Sequence, residues 1–138
     1  EINNRLNVVD LPGYGYAKFS ISLREHLSNL VQSYLKQRNN LKKTYILIDS
    51  KVGIKDIDID LFNIMSDANK SFIIILTKRD KCSKNLINKQ KESILSLLNN
   101  YPNFSCRKIF FTSCKSHEGI IDIQKDIFNL SKTKKKTF

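Results

Sequence analysis

The sequence predicts an α/β protein of three layers, with a mostly parallel sheet and helices on both faces. Two observations point there. Short apolar runs alternate with amphipathic stretches in the order β-α-β-α-β-α-β-α, a pattern that calls for parallel strands joined by crossover helices. Polar clusters rich in chemistry follow three of the apolar runs. That puts them at the carboxyl ends of strands, where open α/β sheets bind ligands.

The elements follow in order. Leu6 to Asp10 reads as a buried strand and residues 11 to 20 as a loop. Ser22 to Arg38 reads as a helix, because Leu23, Leu27, Leu30, Val31, Tyr34 and Leu35 form one helical stripe. Thr44 to Asp49 is a strand, and a loop through Gly53 leads to a helix from Ile57 to Asn69. Phe72 to Thr77 is apolar on both faces, as a central parallel strand should be. Leu86 to Asn100 is a helix with Ile87, Ile94, Leu95 and Leu98 inward, closed by Asn99, Asn100 and Pro102. Lys108 to Thr112 is a strand, and Glu118 to Ser131 a helix carrying Ile120, Ile123, Ile127 and Phe128.

Three strand-end clusters carry the chemistry. The first is Asp10-Leu11-Pro12-Gly13-Tyr14-Gly15-Tyr16-Ala17-Lys18. An acid at a strand end can hold Mg²⁺ through water, and a following glycine lets its N–H approach a terminal phosphate. The second is Thr77-Lys78-Arg79-Asp80-Lys81. In [NT]-K-x-D the carboxylate accepts two N–H bonds from guanine, and the Lys stem packs along the ring. The third is Thr112-Ser113-Cys114-Lys115, where a small residue lets a backbone N–H meet the guanine carbonyl. Each alone also fits an ordinary solvated turn; their order and spacing together point to a guanine nucleotide. Lys78-x-Asp80 disfavours an ATPase of the same fold.

The stretch Asp10 to Lys18 resembles the switch II signature of the EngB/YihA-type ribosome-biogenesis GTP-binding proteins, and Tyr14 to Ala17 make it far more specific than D-x-x-G. Tyr34 to Arg38, Ile46 to Ser50, T-K-R-D-K and the final T-S-C-K…G-I fit the same family. The likeness runs from Arg5 to about Leu130; Lys51 stands where the family usually has Arg. It implies a P-loop GTPase fold, GTP or GDP and Mg²⁺ as ligands, and a role in assembly of the large ribosomal subunit, with rRNA as a partner and neither membrane nor DNA. Asp10 would hold Mg²⁺ through water and Gly13 would contact the γ-phosphate. Thr77, Lys78, Asp80 and Lys81 would take the base, with Ser113, Cys114 and Lys115 closing its pocket. Tyr14 stands where many GTPases have a water-orienting Gln, so hydrolysis would need a group from elsewhere. Tyr14 and Tyr16 are expected in switch or packing roles rather than stacking on RNA bases.

One family part is missing from the sequence. No G-x-x-x-x-G-K-[ST] occurs, and Gly13, Gly15, Gly53 and Gly119 cannot make one. That loop wraps the phosphates. The expectation is therefore a fragment lacking the N-terminal strands and the P-loop: residues 1–131 as the C-terminal portion of a GTPase domain, and 132–138 as a basic tail. Such a piece is expected to be poorly stable or self-associating, inactive as a hydrolase, and a millimolar binder of GTP. The rival reading is a non-catalytic RNA- or ribosome-binding module with a GTPase-like fold.

Composition sets the remaining bounds. The 138 residues suit one domain, and the net charge of +11 favours a polyanionic partner. The Lys, Asn and Ile excess also matches A/T-heavy codons, so part of that charge is open to a compositional origin. Three cysteines, at 82, 106 and 114, lack metal spacing and point to a reducing compartment, cytoplasmic or organellar (plastid or mitochondrial). Cys82 and Cys114 are expected near the base pocket. Asp56, Asp58 and Asp60 lack the glycine a calcium loop needs and suit a helix N-terminus instead. His26 and His117 have no partners at ligand or triad spacing.

Overall fold

The computed structural model describes residues 1–2, 4–11, 13, 20–101, 104 and 106–132, without the side chains at 24 and 107. Pro12, residues 14–19 and residues 133–138 lie outside the described residues, so Tyr14, Tyr16 and most of the basic tail do too. In order come α1 (Ile21–Gln37), β1 (Thr44–Asp49), α2 (Asp56–Asp67), β2 (Phe72–Thr77), a 3₁₀ turn (Arg79–Lys81), α3 (Lys84–Asn100), β3 (Cys106–Phe111) and α4 (Ile120–Lys132). The three strands are parallel in the order β1-β2-β3.

β2 is central because its side chains are apolar on both faces. Ile74 and Leu76 join Ile46, Ile48, Val31, Leu35, Phe62, Met65 and Ile94 in the larger core, under α1, α2 and α3. Ile73 and Ile75 face the other way, against Phe110, Tyr45 and Ile123 of α4. The sheet is thus covered on both faces, as an α/β alternation requires. On the α4 side, Asp126 ties the helix to β1. It accepts from Lys43 Nζ at 2.9 Å and from the Tyr45 hydroxyl at 2.5 Å.

Local signals fix the helix starts. Ser20 caps α1 by accepting from Leu23 N, and Ser83 caps α3 by accepting from Leu86 N. The second cap starts α3 two residues before the expected Leu86. Asp58 accepts from Lys55 N at 2.8 Å in the first turn of α2, the capping role expected of these acids.

Three expectations need correction. Leu6 to Asp10 is not a strand: only an isolated antiparallel bridge joins Leu6 to Ile2, and Val8 and Val9 are 62% and 52% exposed. An apolar run becomes a strand only where a neighbour accepts its backbone bonds, and among the described residues none pairs with Asn7 to Asp10. In α1, Leu23 and Leu30 are exposed: Val31, Tyr34 and Leu35 reach the core, Leu23 lies in the N-terminal half away from it, and Leu30 is turned one helical step out from Val31. In α3, Leu95 is exposed while Leu97 packs on the core beside Leu98. Leu95 lies one helical step round from fully buried Ile94, on the outer side.

Candidate functional site at the ends of β2 and β3

β2 and β3 end side by side, and main-chain bonds lock the loops that follow them. Thr112 N donates to Leu76 O at 2.8 Å, and Arg79 N to Thr112 O at 2.9 Å. Ser113 N donates to Glu118 O at 3.0 Å, closing the second loop on itself. Gly119 makes that closure possible. Its φ is +70°, and a Cβ there would stand 2.0 Å from the Phe111 carbonyl oxygen.

Within this frame Ser113 is the hub. Fully buried, its hydroxyl donates to Asp80 Oδ1 at 2.5 Å and accepts from Lys115 N and Ser116 N, both at 3.1 Å. The Ser113 bond, chiefly, holds the exposed Asp80 carboxyl below its usual range, with Lys115 and Lys81 adding attraction. One loop therefore fixes the acid of the other. Cys114 and Lys115 are exposed at the loop tip.

Lys78 lies on the β1 side. Its backbone is left-handed, with φ +57°, an uncommon state for a side chain of this size. Thr77, at the end of β2, pairs in register with Asp49 of β1, and its hydroxyl donates to Ile48 O at 3.2 Å. From the next position Lys78 Nζ reaches Asp49 Oδ2 at 2.7 Å. Asp49 Oδ1 accepts from Lys51 N at 2.8 Å, so both carboxylate oxygens are held. The Lys78 bond, chiefly, lowers the Asp49 pKa, and the same bond raises that of Lys78. Arg79 turns away, donating to Cys82 O at 2.9 Å and standing 3.8 Å from Glu118. Cys82 is buried, with its sulfur 3.9 Å from Lys78 O.

The fold thus gathers Thr77, Lys78, Asp80, Lys81, Ser113, Cys114 and Lys115 into two interlocked loops. The arrangement offers a fixed carboxylate, a lysine stem held to one side, and a loop tip with the small, exposed Cys114. That set suits a flat base with N–H donors on one edge. Of the first motif, the described site residues Asp10 and Gly13 are not drawn into this set. Asp10 is exposed, and no described hydrogen bond or ion pair joins it to the two loops. Gly13 lines a small cavity of about 200 Å³ with Leu47, Asp49, Val52 and Gly53 at the end of β1. Among the described residues no three His, Cys, Asp or Glu side chains cluster to hold a metal. A single exposed carboxylate fits Mg²⁺ only as one ligand beside water and substrate phosphates.

Two participants were not singled out from sequence. In the sequence Asp49 marks only the end of a strand, and its register with Thr77 emerges with the fold. Glu118 was read only as a helix start, and its backbone oxygen closes the third motif.

No protein-family model matches the chain. Curated relatives do. Over 97 residues, 67% of this chain and 52% of the relative, it is 41% identical to the probable GTP-binding protein EngB of Mycoplasmopsis synoviae. The namesake from Natranaerobius thermophilus is 42% identical over 96 residues, 70% of this chain and 48% of the relative. That of Rickettsia canadensis is 36% identical over 123 residues, 88% of this chain and 53% of the relative. The resemblance carried by the motifs therefore extends over most of the chain, which spans about half the length of these relatives. Among solved structures, translation elongation factor SelB from Methanococcus maripaludis, apo form, covers 92% of this chain and 25% of its own. Its TM-score is 0.70 at 20% identity. The complex of the same factor with the GTP analogue GppNHp covers 78% of this chain and 24% of its own, with a TM-score of 0.63 at 20% identity. The described sheet and helices share that P-loop GTPase fold.

Proposed function

We propose that this chain, an EngB-type sequence, supplies the guanine-reading part of a GTP-binding protein that serves large ribosomal subunit assembly. The observation that carries the reading is the Ser113–Asp80 bond, which couples T-K-R-D-K to T-S-C-K and presents a fixed carboxylate beside Lys78. Asp80 accepts the two N–H groups of the guanine edge. Lys78 covers one ring face, and the backbone at Cys114 meets the base carbonyl. Thr77 and Lys81 shape the approach. Residues 1–131 then form the C-terminal portion of the GTPase domain, and 132–138 a basic tail that meets rRNA phosphates.

The phosphates are a separate matter. Asp10 and Gly13 supply a Mg²⁺-water ligand and a phosphate contact when a phosphate-wrapping loop is present, and this sequence contains none. Mg²⁺, when bound with nucleotide, would neutralise phosphate charge. Hydrolysis belongs to the whole protein and to a water-positioning group other than Tyr14. The relatives named above are bacterial, which favours an intracellular setting and gives no support to an organelle. Among the described residues no helix is long and apolar enough to cross a membrane.

The test is nucleoside choice. Guanosine titrated into the 138-residue chain, followed by NMR shifts of the Ser113 and Lys115 amides, should bind in the millimolar range and at least about tenfold tighter than adenosine, as expected of hydrogen-bond readout. Equal affinity for the two would reject base reading. The second reading, a non-catalytic RNA-binding module, is favoured by the net charge of +11. It predicts tight, salt-sensitive rRNA binding with no nucleoside preference.

A further inference from the structure

We propose that Asp49 is a positioning residue of the base site, acting through Lys78; this rests on the guanine reading above. The ion pair at 2.7 Å spans two strand ends and fixes a long side chain before any ligand arrives. A free lysine stem samples many rotamers, and stacking on a base would freeze them. Immobilising such a side chain costs about 0.5–1.5 kcal/mol on binding. With the ammonium already tied to Asp49, most of that ordering is complete, and the stem lies ready as one wall of the base pocket.

Three features make Asp49 a built partner rather than a chance surface contact. Its second oxygen is held by Lys51 N, so the carboxylate cannot swing away freely. Thr77 is its register partner, so its distance from Lys78 is set by the sheet itself. The backbone of Lys78 is left-handed, and such states persist where surrounding structure imposes them, often at ligand sites. The pair is more than a quarter exposed on both sides, so its worth to folding is small. Its effect should be read in binding.

The test is a mutant cycle in the 138-residue chain with guanosine as probe, by NMR titration. Guanosine carries no charge, so removing a carboxylate does not alter its long-range attraction. Asp49→Asn retains an acceptor for Lys51 N and loses the ion pair. It should weaken guanosine about three- to tenfold, the value of one ordered side chain. Lys78→Met should weaken it too, and the double variant should bind no worse than Lys78→Met alone. If Asp49→Asn unfolds the chain, Asp49→Ser, which also accepts from Lys51 N, takes its place in the cycle. Unchanged affinity in the Asp49 variant, or losses that add in the double variant, would overturn the positioning role while leaving the base site standing. Absence of guanosine binding by the parent chain would overturn both.

Discussion

The loops after β2 and β3 and the segment before α1 all carry motifs in the sequence, and the described residues of the two regions are held in different ways. The loops are closed by main-chain bonds among Leu76, Arg79, Thr112, Ser113 and Glu118, and Asp80 and Lys78 are held by Ser113 and Asp49 of the chain itself. Among the described residues of the first segment, Ile2 and Leu6 form one bridge, Leu11 packs on the larger core, and Val8 and Val9 stay in solvent. A motif preorganises when its backbone partners lie on neighbouring strands that pair. Where no strand pairs with it, apolar character alone builds no strand. Among the described strands β1 lies at the edge of the sheet, and on its outer face Leu47 is 63% exposed.

The largest break in this contrast should come from Gly119→Ala. The left-handed backbone and the Phe111 oxygen both oppose a Cβ. Strain of this kind costs about 1–3 kcal/mol, and the steric overlap adds to it. A melting-temperature drop of several degrees, with loss of the Ser113 amide shift, is expected. Ser113→Ala should cost about 1–3 kcal/mol, since two N–H donors lose their acceptor and Asp80 its anchor. Denaturant melts would show it. Val8→Ser together with Val9→Ser should change stability by no more than about 0.5 kcal/mol, because these side chains are already in water. A large loss there would mean that the segment pairs after all.

Acid should act on the ordered loops. Asp49 and Asp80 are held below the normal carboxylate range by Lys78 and Ser113. Asp126 is also lowered: burial pushes it upward, and bonds from Tyr45 and Lys43 outweigh that. Groups lowered on folding stabilise above their unfolded pKa of about 3.9 and lose that contribution as pH falls through the folded value. Stability should hold flat from pH 7 to about pH 5 and fall below about pH 4. Melts across that range would check it. In the basic tail the effect is smaller still and lies in binding. Deleting residues 132–138 should flatten the log K against log salt slope for rRNA by up to about three units.

Much of this was legible in the sequence. Phe72 to Thr77 has the apolar character of a central strand, and Thr77 to Lys81 with Thr112 to Lys115 stand out as polar clusters at two strand ends that the fold brings side by side. What the sequence hid depends on pairing. Leu6 to Asp10 has strand composition, yet strand formation rests on a partner that local pattern does not reveal. Leu95 and Leu97 differ by their angle round α3, which a coarse stripe blurs. The Asp49–Lys78 pair spans 29 positions and follows from the register between β1 and β2.

The most direct test of the central claim, that Asp80 reads guanine from a frame already built, is base exchange by Asp80→Asn. An amide in place of the carboxylate sets a donor against a guanine donor, and losing the charge-assisted pair should cost about 2–4 kcal/mol. Xanthine offers the complementary acceptor. With guanosine and xanthosine titrated into parent and variant, the account predicts that guanosine binding disappears in the variant while xanthosine binding emerges. Equal guanosine affinity in parent and variant would contradict it.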